Sequence, residues 1–119
     1  MTMENSRLLP VAESEGFFHY DLRIGTVIAA RTNDAARKPA YVLTIDFGSL
    51  GTRTTSAQLT HRYQPAELIG RQVAAVCNFP PKRIAGVVSE VLVLGAIPEE
   101  GDVVLLAPDF PVPNGTRIA

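Results

Sequence analysis

One short helical pattern interrupts a chain whose other regular segments all look like strands. Residues 65–70 read Pro-Ala-Glu-Leu-Ile-Gly, with proline where helices begin, an acidic residue in the first turn and glycine where the helix ends. This segment is little more than one turn long, so the core has to be built from β-strands. The position of the helix in the order of the strands therefore limits the folds that the chain can adopt.

Three strands are predicted before the helix, at residues 21–30, 40–47 and 52–58. The second alternates and places four large apolar residues on one face, namely Tyr41, Leu43, Ile45 and Phe47. The first is half-buried by its pattern, and Gly25 within it predicts a bulge or a strong bend. Residues 48–51, Gly-Ser-Leu-Gly, predict a hairpin between the second and third strands.

Two strands follow the helix, at residues 72–77 and 87–94, and a further short strand is predicted at 102–107. Five strands with a helix between the third and fourth are typical of the oligonucleotide/oligosaccharide-binding (OB) fold, an all-β, five-stranded Greek-key barrel. The short helix would plug the open end of this barrel. We therefore predict a flexible N-terminal tail at 1–16, an OB domain at 17–107 and a C-terminal extension at 108–119, whose residues 116–119 could pair as an edge.

The composition is that of one globular domain, with 46% hydrophobic and 19% charged residues among 119. The formal net charge of −1 gives no general attraction to nucleic acid or to an anionic membrane. A role in nucleic-acid binding would therefore depend on a local basic patch.

The cysteine and histidine content gives no support for a metal site. Cys77 lies in an apolar segment and is expected to be a core residue in a reducing compartment, and neither His19 nor His61 belongs to a Cys/His cluster. We expect no cofactor, no catalytic residue and no membrane insertion, because no ligand cluster, catalytic motif or long apolar segment is present in the sequence. A cytoplasmic location is the expectation.

Residues 78–95 have the features of a binding site. Two prolines hold a loop extended before Lys82 and Arg83, and the following strand carries Ser89 and Glu90 among apolar residues on both of its faces. A carboxylate in a covered strand is costly unless it is paired or reaches the wet end of the strand. The alternative is an exposed glutamate at the margin of the sheet and a solvated pair of cations.

Three aromatic residues precede the first strand, Phe17, Phe18 and Tyr20. They could plug the core or form an oligomer contact, and the other reading is that they stack on bases. Arg23 could be a solvated strand residue or could pair with Glu90 across the mouth of the barrel. Asn78 could cap the backbone of its own loop.

Several phrases occur together in a specific order and spacing, among them Asp21-Leu-Arg-Ile-Gly25, Arg37-Lys-Pro-Ala-Tyr41, Ile45-Asp-Phe-Gly48, Ser56-Ala-Gln58, Pro65-Ala-Glu-Leu-Ile-Gly70, Asn78-Phe-Pro-Pro81, Gly86, Ser89-Glu90 and Pro111-Val-Pro-Asn-Gly115. Over residues 17–118 the chain resembles the tRNA-binding OB domains, including the appendix of methionyl-tRNA synthetases. At Ser56-Ala-Gln58 and Ser89-Glu-Val-Leu92 it departs from their usual Ser-Gly-Leu and Ser-Gln-Gly-Met. At both positions the sequence resembles that of the CsaA-type secretion chaperones.

That resemblance implies a homodimeric cytoplasmic chaperone that binds unfolded or export-destined polypeptides and assists secretion. The alternative is a tRNA-binding protein that acts in trans or as a synthetase cofactor. In the chaperone reading, Asn and Gln side chains would form hydrogen bonds with an extended peptide backbone. In the tRNA reading, the loop cations Lys82 and Arg83 would bind phosphates, and Phe79 or Tyr41 would offer a stacking face. Under either reading, the predicted binding residues are Arg23, Lys38, Ser56, Gln58, Asn78, Phe79, Lys82, Arg83, Ser89 and Glu90.

A homodimer is also predicted from the apolar surface. A barrel of this size cannot hide so many apolar strand residues, and an extension that finds no partner in its own chain often finds one in a second copy. The predicted dimer contact consists of Phe17, Phe18, Phe110, Pro111, Val112 and Pro113.

Overall fold

The computed structural model describes residues 7–119, and within them the strands greatly outnumber the helices. The strands and the α-helix are, in chain order, β1 (Leu22–Thr32), β2 (Tyr41–Asp46), β3 (Thr52–Ala57), α1 (Pro65–Leu68), β4 (Gln72–Val76), β5 (Lys82–Ile84), β6 (Val87–Ser89), β7 (Leu92–Val93), β8 (Gly95–Glu99) and β9 (Asp102–Leu105). Two short 3-10 helices lie at Ser14–His19 and Gly48–Leu50. The predicted tail residues 1–6 lie outside the described residues.

Five strands form one antiparallel sheet in the order β3-β2-β1-β4-β7, and this sheet curls into a nearly closed barrel. Closure depends on the chain between β6 and β7, which bonds to β3. The amide of Glu90 donates to the carbonyl of Thr54 at 2.8 Å, and the Thr55 hydroxyl donates to the carbonyl of Val91 at 2.7 Å. The prediction of an all-β OB-type barrel is confirmed.

The core follows the alternation predicted in β2. Leu43, Ile45 and Phe47 are fully buried, and Tyr41 is nearly so. In α1, Leu68 is also fully buried, and the carboxylate of Glu67 accepts the amide of Gln64 at 2.7 Å, which satisfies a donor at the start of the helix. The helix therefore presents one large side chain to the core, as expected of a plug.

The bulge in β1 lies three residues beyond the predicted position. The register with β2 shifts between Val27 and Ala29, so Val27 is fully buried and the next residue, Ile28, is about half exposed. Gly25 is needed for a different reason. A Cβ atom there would lie 2.6 Å from Cγ2 of Ile45 and 2.7 Å from the ring of Phe47.

The prediction of one continuous strand at residues 87–94 is wrong, because two short strands lie there. The chain forms a hairpin of β5 and β6, leaves the strand conformation at Glu90 and Val91, and resumes as β7. Because the backbone turns to bond β3 at this point, the two faces do not continue from one segment to the next. Val88 and Leu92 are 41% and 50% exposed, which contradicts the expectation that both faces are covered.

The C-terminal residues pair with β1 of the same chain. Arg23 and Arg117 form an antiparallel bridge, and the carbonyls of Leu22 and Ile24 accept the amides of Ile118 and Gly115 at 2.8 and 2.7 Å. The prediction that residues 116–119 pair as an edge is confirmed. The premise that the extension finds no partner in its own chain is wrong, and its place in a dimer contact stays a prediction.

Candidate functional site

The β5–β6 hairpin separates two surface grooves that share one residue, Ile84. The first, which we call the apolar groove, has a volume of about 270 Å³ and is lined by Phe79, Pro80, Lys82, Ile84, Ser89, Glu90, Val91 and Leu92. Phe79 and Leu92 are 40% and 50% exposed there. The apolar groove can therefore bury apolar side chains of a ligand.

Two polar residues of the apolar groove, Ser89 and Glu90, form hydrogen bonds with β3. The Ser89 hydroxyl lies 2.7 Å from the Thr55 hydroxyl and accepts the amide of Ser56 at 3.2 Å. The Glu90 carboxylate accepts the amide of Thr54 through Oε1 at 2.9 Å. Of the two possibilities predicted for Glu90, the structure shows pairing, and the partner is a backbone amide.

The second groove, which we call the basic groove, has a volume of about 560 Å³. Its lining comprises Ala35, Ala36, Arg37, Lys38, Ala40, Ser56, Gln58, Ile84 and Ala85. Two cations lie beside a hydroxyl and an amide, and none of these lining residues is acidic. This lining favours an anionic ligand group more than the net charge of the whole chain does.

Arg23 and Asn78 lie elsewhere, in a polar pocket of about 290 Å³ with Phe18, His19, Tyr20, Asp21 and Arg117. Arg23 pairs with Asp21, whose carboxylate accepts from its Nε at 2.6 Å, so the predicted pairing of Arg23 with Glu90 is wrong. This hydrogen bond raises the pKa of the Arg23 guanidinium. Arg23 and Asn78 are therefore separate from the two grooves.

The side chain of Asn78 bonds to the backbone of residues 19–21 instead of capping its own loop. Its Oδ1 accepts the amide of Asp21 at 2.8 Å, and its Nδ2 donates to the carbonyl of His19 at 2.9 Å. Tyr20 then packs edge-to-face on Phe79, with ring centroids 5.8 Å apart. The residues before β1 are thus held against one wall of the apolar groove.

Two predicted aromatic roles are corrected. Tyr41 is 5% exposed and its hydroxyl donates to the carbonyl of Tyr63 at 2.7 Å, so it offers no stacking face to RNA. Phe17 and Phe18 are 42% and 62% exposed and contact each other edge-to-face, so they do not plug the core. The oligomer and base-stacking interpretations of these two residues stay open.

The structure thus divides the predicted binding residues among three places. Phe79, Lys82, Ser89 and Glu90 line the apolar groove, whereas Lys38, Ser56 and Gln58 line the basic groove. Arg83 is exposed on β5 and lines neither groove. Sequence reasoning missed the roles of Arg37, Ile84 and Leu92. The adjacent pair of cations at 37 and 38 was the available signal for the first.

Outside the grooves, Cys77 and Asp102 also have shifted pKa values. Burial raises the pKa of the Cys77 thiol, which is partly buried and packs against the core instead of lying fully within it. A bidentate pair with Arg62, at 2.9 and 2.7 Å, lowers the pKa of Asp102. Neither group belongs to the grooves.

Residues 7–119 contain no group of three or more His, Cys, Asp or Glu residues arranged to hold a metal ion. None of the helices in this part of the chain combines the length and the apolar character that a membrane crossing needs. An OB-type barrel with two open grooves belongs to the class of small binding domains.

Comparison with known proteins defines the class further. The sequence model of the family described as "Putative tRNA binding domain" matches residues 22–117. The chain is 38% identical over 109 residues to a methionine–tRNA ligase of Acidithiobacillus ferrooxidans, a match that covers 92% of the chain and 16% of the ligase. The chain thus spans about one-sixth of the length of such curated relatives.

Among solved structures, the chain is similar to the chaperone CsaA of Bacillus anthracis str. Ames. The sequence identity is 58% and the TM-score 0.89, over 92% of this chain and all of that one. For the CsaA chaperone protein of Picrophilus torridus the sequence identity is 43% and the TM-score is 0.84, with the same coverage of both chains. The chain belongs to the tRNA-binding domain family, and within that family its fold is similar to that of the CsaA chaperones.

Proposed function

We propose that the chain is a cytoplasmic chaperone of the CsaA type that binds unfolded or export-destined polypeptides in the apolar groove and assists their secretion. The observation that carries the proposal is the lining of the apolar groove. Its apolar side chains are open to ligand, whereas Ser89 and Glu90 already bond to β3. Such a groove gains binding energy from burying apolar side chains and tolerates varied sequences. We propose a binding role without catalysis.

The second candidate function is tRNA binding, in trans or as a cofactor of a synthetase. It is supported by the family match and by the basic groove, where Arg37 and Lys38 face no acidic lining residue. Phe79, partly exposed beside Lys82 in the apolar groove, could stack on a base. We favour the polypeptide because a dedicated RNA domain usually carries a wider basic surface than this chain, with its net charge of −1, provides.

The test is a pair of titrations, one with an unfolded apolar peptide and one with tRNA, on the full chain and on Leu92→Ser. Leu92 is half exposed in the apolar groove, so its replacement should weaken peptide binding several-fold and leave tRNA binding unchanged. Ile69→Ser is the matched control, because Ile69 is equally exposed and lines neither groove. Tight tRNA binding at physiological salt, without affinity for peptide, would overturn the chaperone proposal.

The chaperone is proposed to be a homodimer. Phe110 is 73% exposed, and an apolar pocket of about 360 Å³ lies close by, lined by Ile24, Ala74, Leu106, Ala107, Pro108, Val112, Thr116, Arg117 and Ile118. An exposed aromatic residue and an apolar pocket on the same part of the chain support contact with a second copy. Light scattering at micromolar concentration tests the idea, and a monomeric full-length chain would refute it. Phe110→Ser should shift a dimer toward monomer.

A further inference from the structure

A short apolar segment at the start of the described chain is open to solvent. Residues 8–13 read Leu-Leu-Pro-Val-Ala-Glu, and we call them the N-terminal arm. Leu8, Leu9 and Val11 are 99%, 87% and 103% exposed, which is more than any other large apolar residue of the described chain. These side chains leave apolar area uncovered, so contact with an apolar surface would stabilise the arm.

The arm is joined to one wall of the apolar groove through a short helix. The 3-10 helix Ser14–His19 follows it, the carbonyl of His19 is held by Asn78, and Tyr20 packs on Phe79, which lines the groove. Six residues of 3-10 helix span about 12 Å, at about 2 Å per residue. An extended segment from Leu8 to Ser14 spans about 20 Å, at about 3.3 Å per residue. The arm is therefore long enough to fold back and reach the groove.

The arm also has the character of the ligand proposed for that groove. It is an apolar stretch outside any helix or strand, and Pro10 removes one backbone donor that would need a partner. Because it is tethered next to the groove, its effective concentration there is on the order of millimolar, so even weak affinity gives substantial occupancy.

We propose that the N-terminal arm binds in the apolar groove of its own chain and competes with polypeptide ligands. The proposal rests on the proposed function only for the identity of the competing ligand. Occupancy by the arm reduces the fraction of molecules open to a ligand, and the apparent Kd rises by the inverse of that fraction. Removal of the apolar side chains of the arm should then lower the apparent Kd for an apolar peptide about two- to ten-fold.

The first experiment compares peptide affinity in the full chain and in the triple variant Leu8→Ser, Leu9→Ser, Val11→Ser. The matched control is Ile69→Ser, which removes an exposed apolar residue outside both grooves. We expect tighter binding by the triple variant and no change in the control. Equal affinity of the triple variant and the unmodified chain would overturn the proposal.

The second experiment detects the arm without any ligand. A nitroxide on Ala12→Cys, in a Cys77→Ala background, should broaden the amide signals of Ile84 and Leu92 more strongly than the same nitroxide does in the triple variant Leu8→Ser, Leu9→Ser, Val11→Ser, whereas a nitroxide on Glu100→Cys should not broaden them. If no peptide binds but this broadening is present, the proposed function fails and the inference stands. Absence of this stronger broadening overturns the inference. Broadening that occurs only between differently labelled copies also overturns it, since the occupant is then the arm of a second chain.

Discussion

Glu90 and Thr54 exchange two hydrogen bonds. The Glu90 amide donates to the Thr54 carbonyl at 2.8 Å, and the Thr54 amide donates to Glu90 Oε1 at 2.9 Å. This pair joins the chain between β6 and β7 to β3 and closes the barrel. The carboxylate that looks like a binding group in the sequence therefore has a structural task.

Glu90→Ala should lower the free energy of unfolding by about 1–2 kcal/mol, because the Thr54 amide loses its acceptor. Glu90→Gln keeps an oxygen acceptor at the same place and should cost clearly less. Urea unfolding of both variants checks this. Equal losses would show that charge, and not the hydrogen bond, is what matters.

Gly25→Ala should destabilise the chain by about 1–3 kcal/mol, because the added methyl group meets Ile45 and the ring of Phe47. Gly16→Ala is the control, since a Cβ at Gly16 has no atom within 4 Å. Thermal unfolding of the two variants measures the difference. A neutral effect of Gly25→Ala would mean that β1 and β2 can separate without cost.

Asp102→Asn should destabilise the chain at neutral pH, with a difference from the unmodified chain that shrinks in acid. The pKa of Asp102 lies below its ordinary value of 3.8 because Arg62 bonds the carboxylate. A lowered pKa contributes stability above about pH 4, and this contribution is lost as the pH falls through the folded value. Unfolding midpoints measured between pH 2 and pH 7 test this, with Glu100→Gln, on the same hairpin, as the control. A difference that is constant with pH would refute it.

Two charge swaps should separate the grooves. If tRNA phosphates lie in the basic groove, Arg37→Glu with Lys38→Glu should lower the slope of log affinity against log salt by about one to two units. Lys82→Glu with Arg83→Glu should do the same only if RNA crosses β5. Neither pair of substitutions should greatly weaken the binding of an apolar peptide. A tenfold loss of peptide affinity from either swap would contradict the assignment of the peptide to the apolar groove.

A chain that ends at Ala107 should be less stable by about 3 kcal/mol, with about 1 kcal/mol for each of three backbone hydrogen bonds lost from β1. Ile24, 5% exposed in the full chain, would also be uncovered. Chemical unfolding checks the stability, and light scattering shows whether the shortened chain is monomeric or aggregated. Unchanged stability would mean that the pairing with β1 contributes little.

The barrel itself could be predicted because the alternation in β2 and the signals around α1 are local. Tyr41 to Phe47 alternate at the period of a strand, and the structure buries the same four residues that the pattern selects. The residues around Glu90 could not be predicted in this way. Their conformation depends on bonds to Thr54 and Thr55, more than thirty residues away in sequence.

Seven of the ten residues predicted to bind line one of the two grooves, and their roles in binding stay predictions. Ser56 and Ser89 are in contact because β3 and β6 pack together, although they line different grooves. Arg23 and Asn78 were grouped with them by residue type, although their contacts are to Asp21 and His19. Composition cannot reveal such separation, since it depends on which strands are neighbours across the barrel.

Ile84 lines both grooves, and this position has a thermodynamic consequence. If a ligand bound in one groove displaces this side chain, the shape of the other groove changes, and the two binding equilibria would then be linked. Linkage is reciprocal, and any factor by which a polypeptide changes the affinity for an anionic ligand is the factor by which that ligand changes the affinity for the polypeptide. The β5–β6 hairpin would then couple the binding of the two ligands through one side chain, that of Ile84.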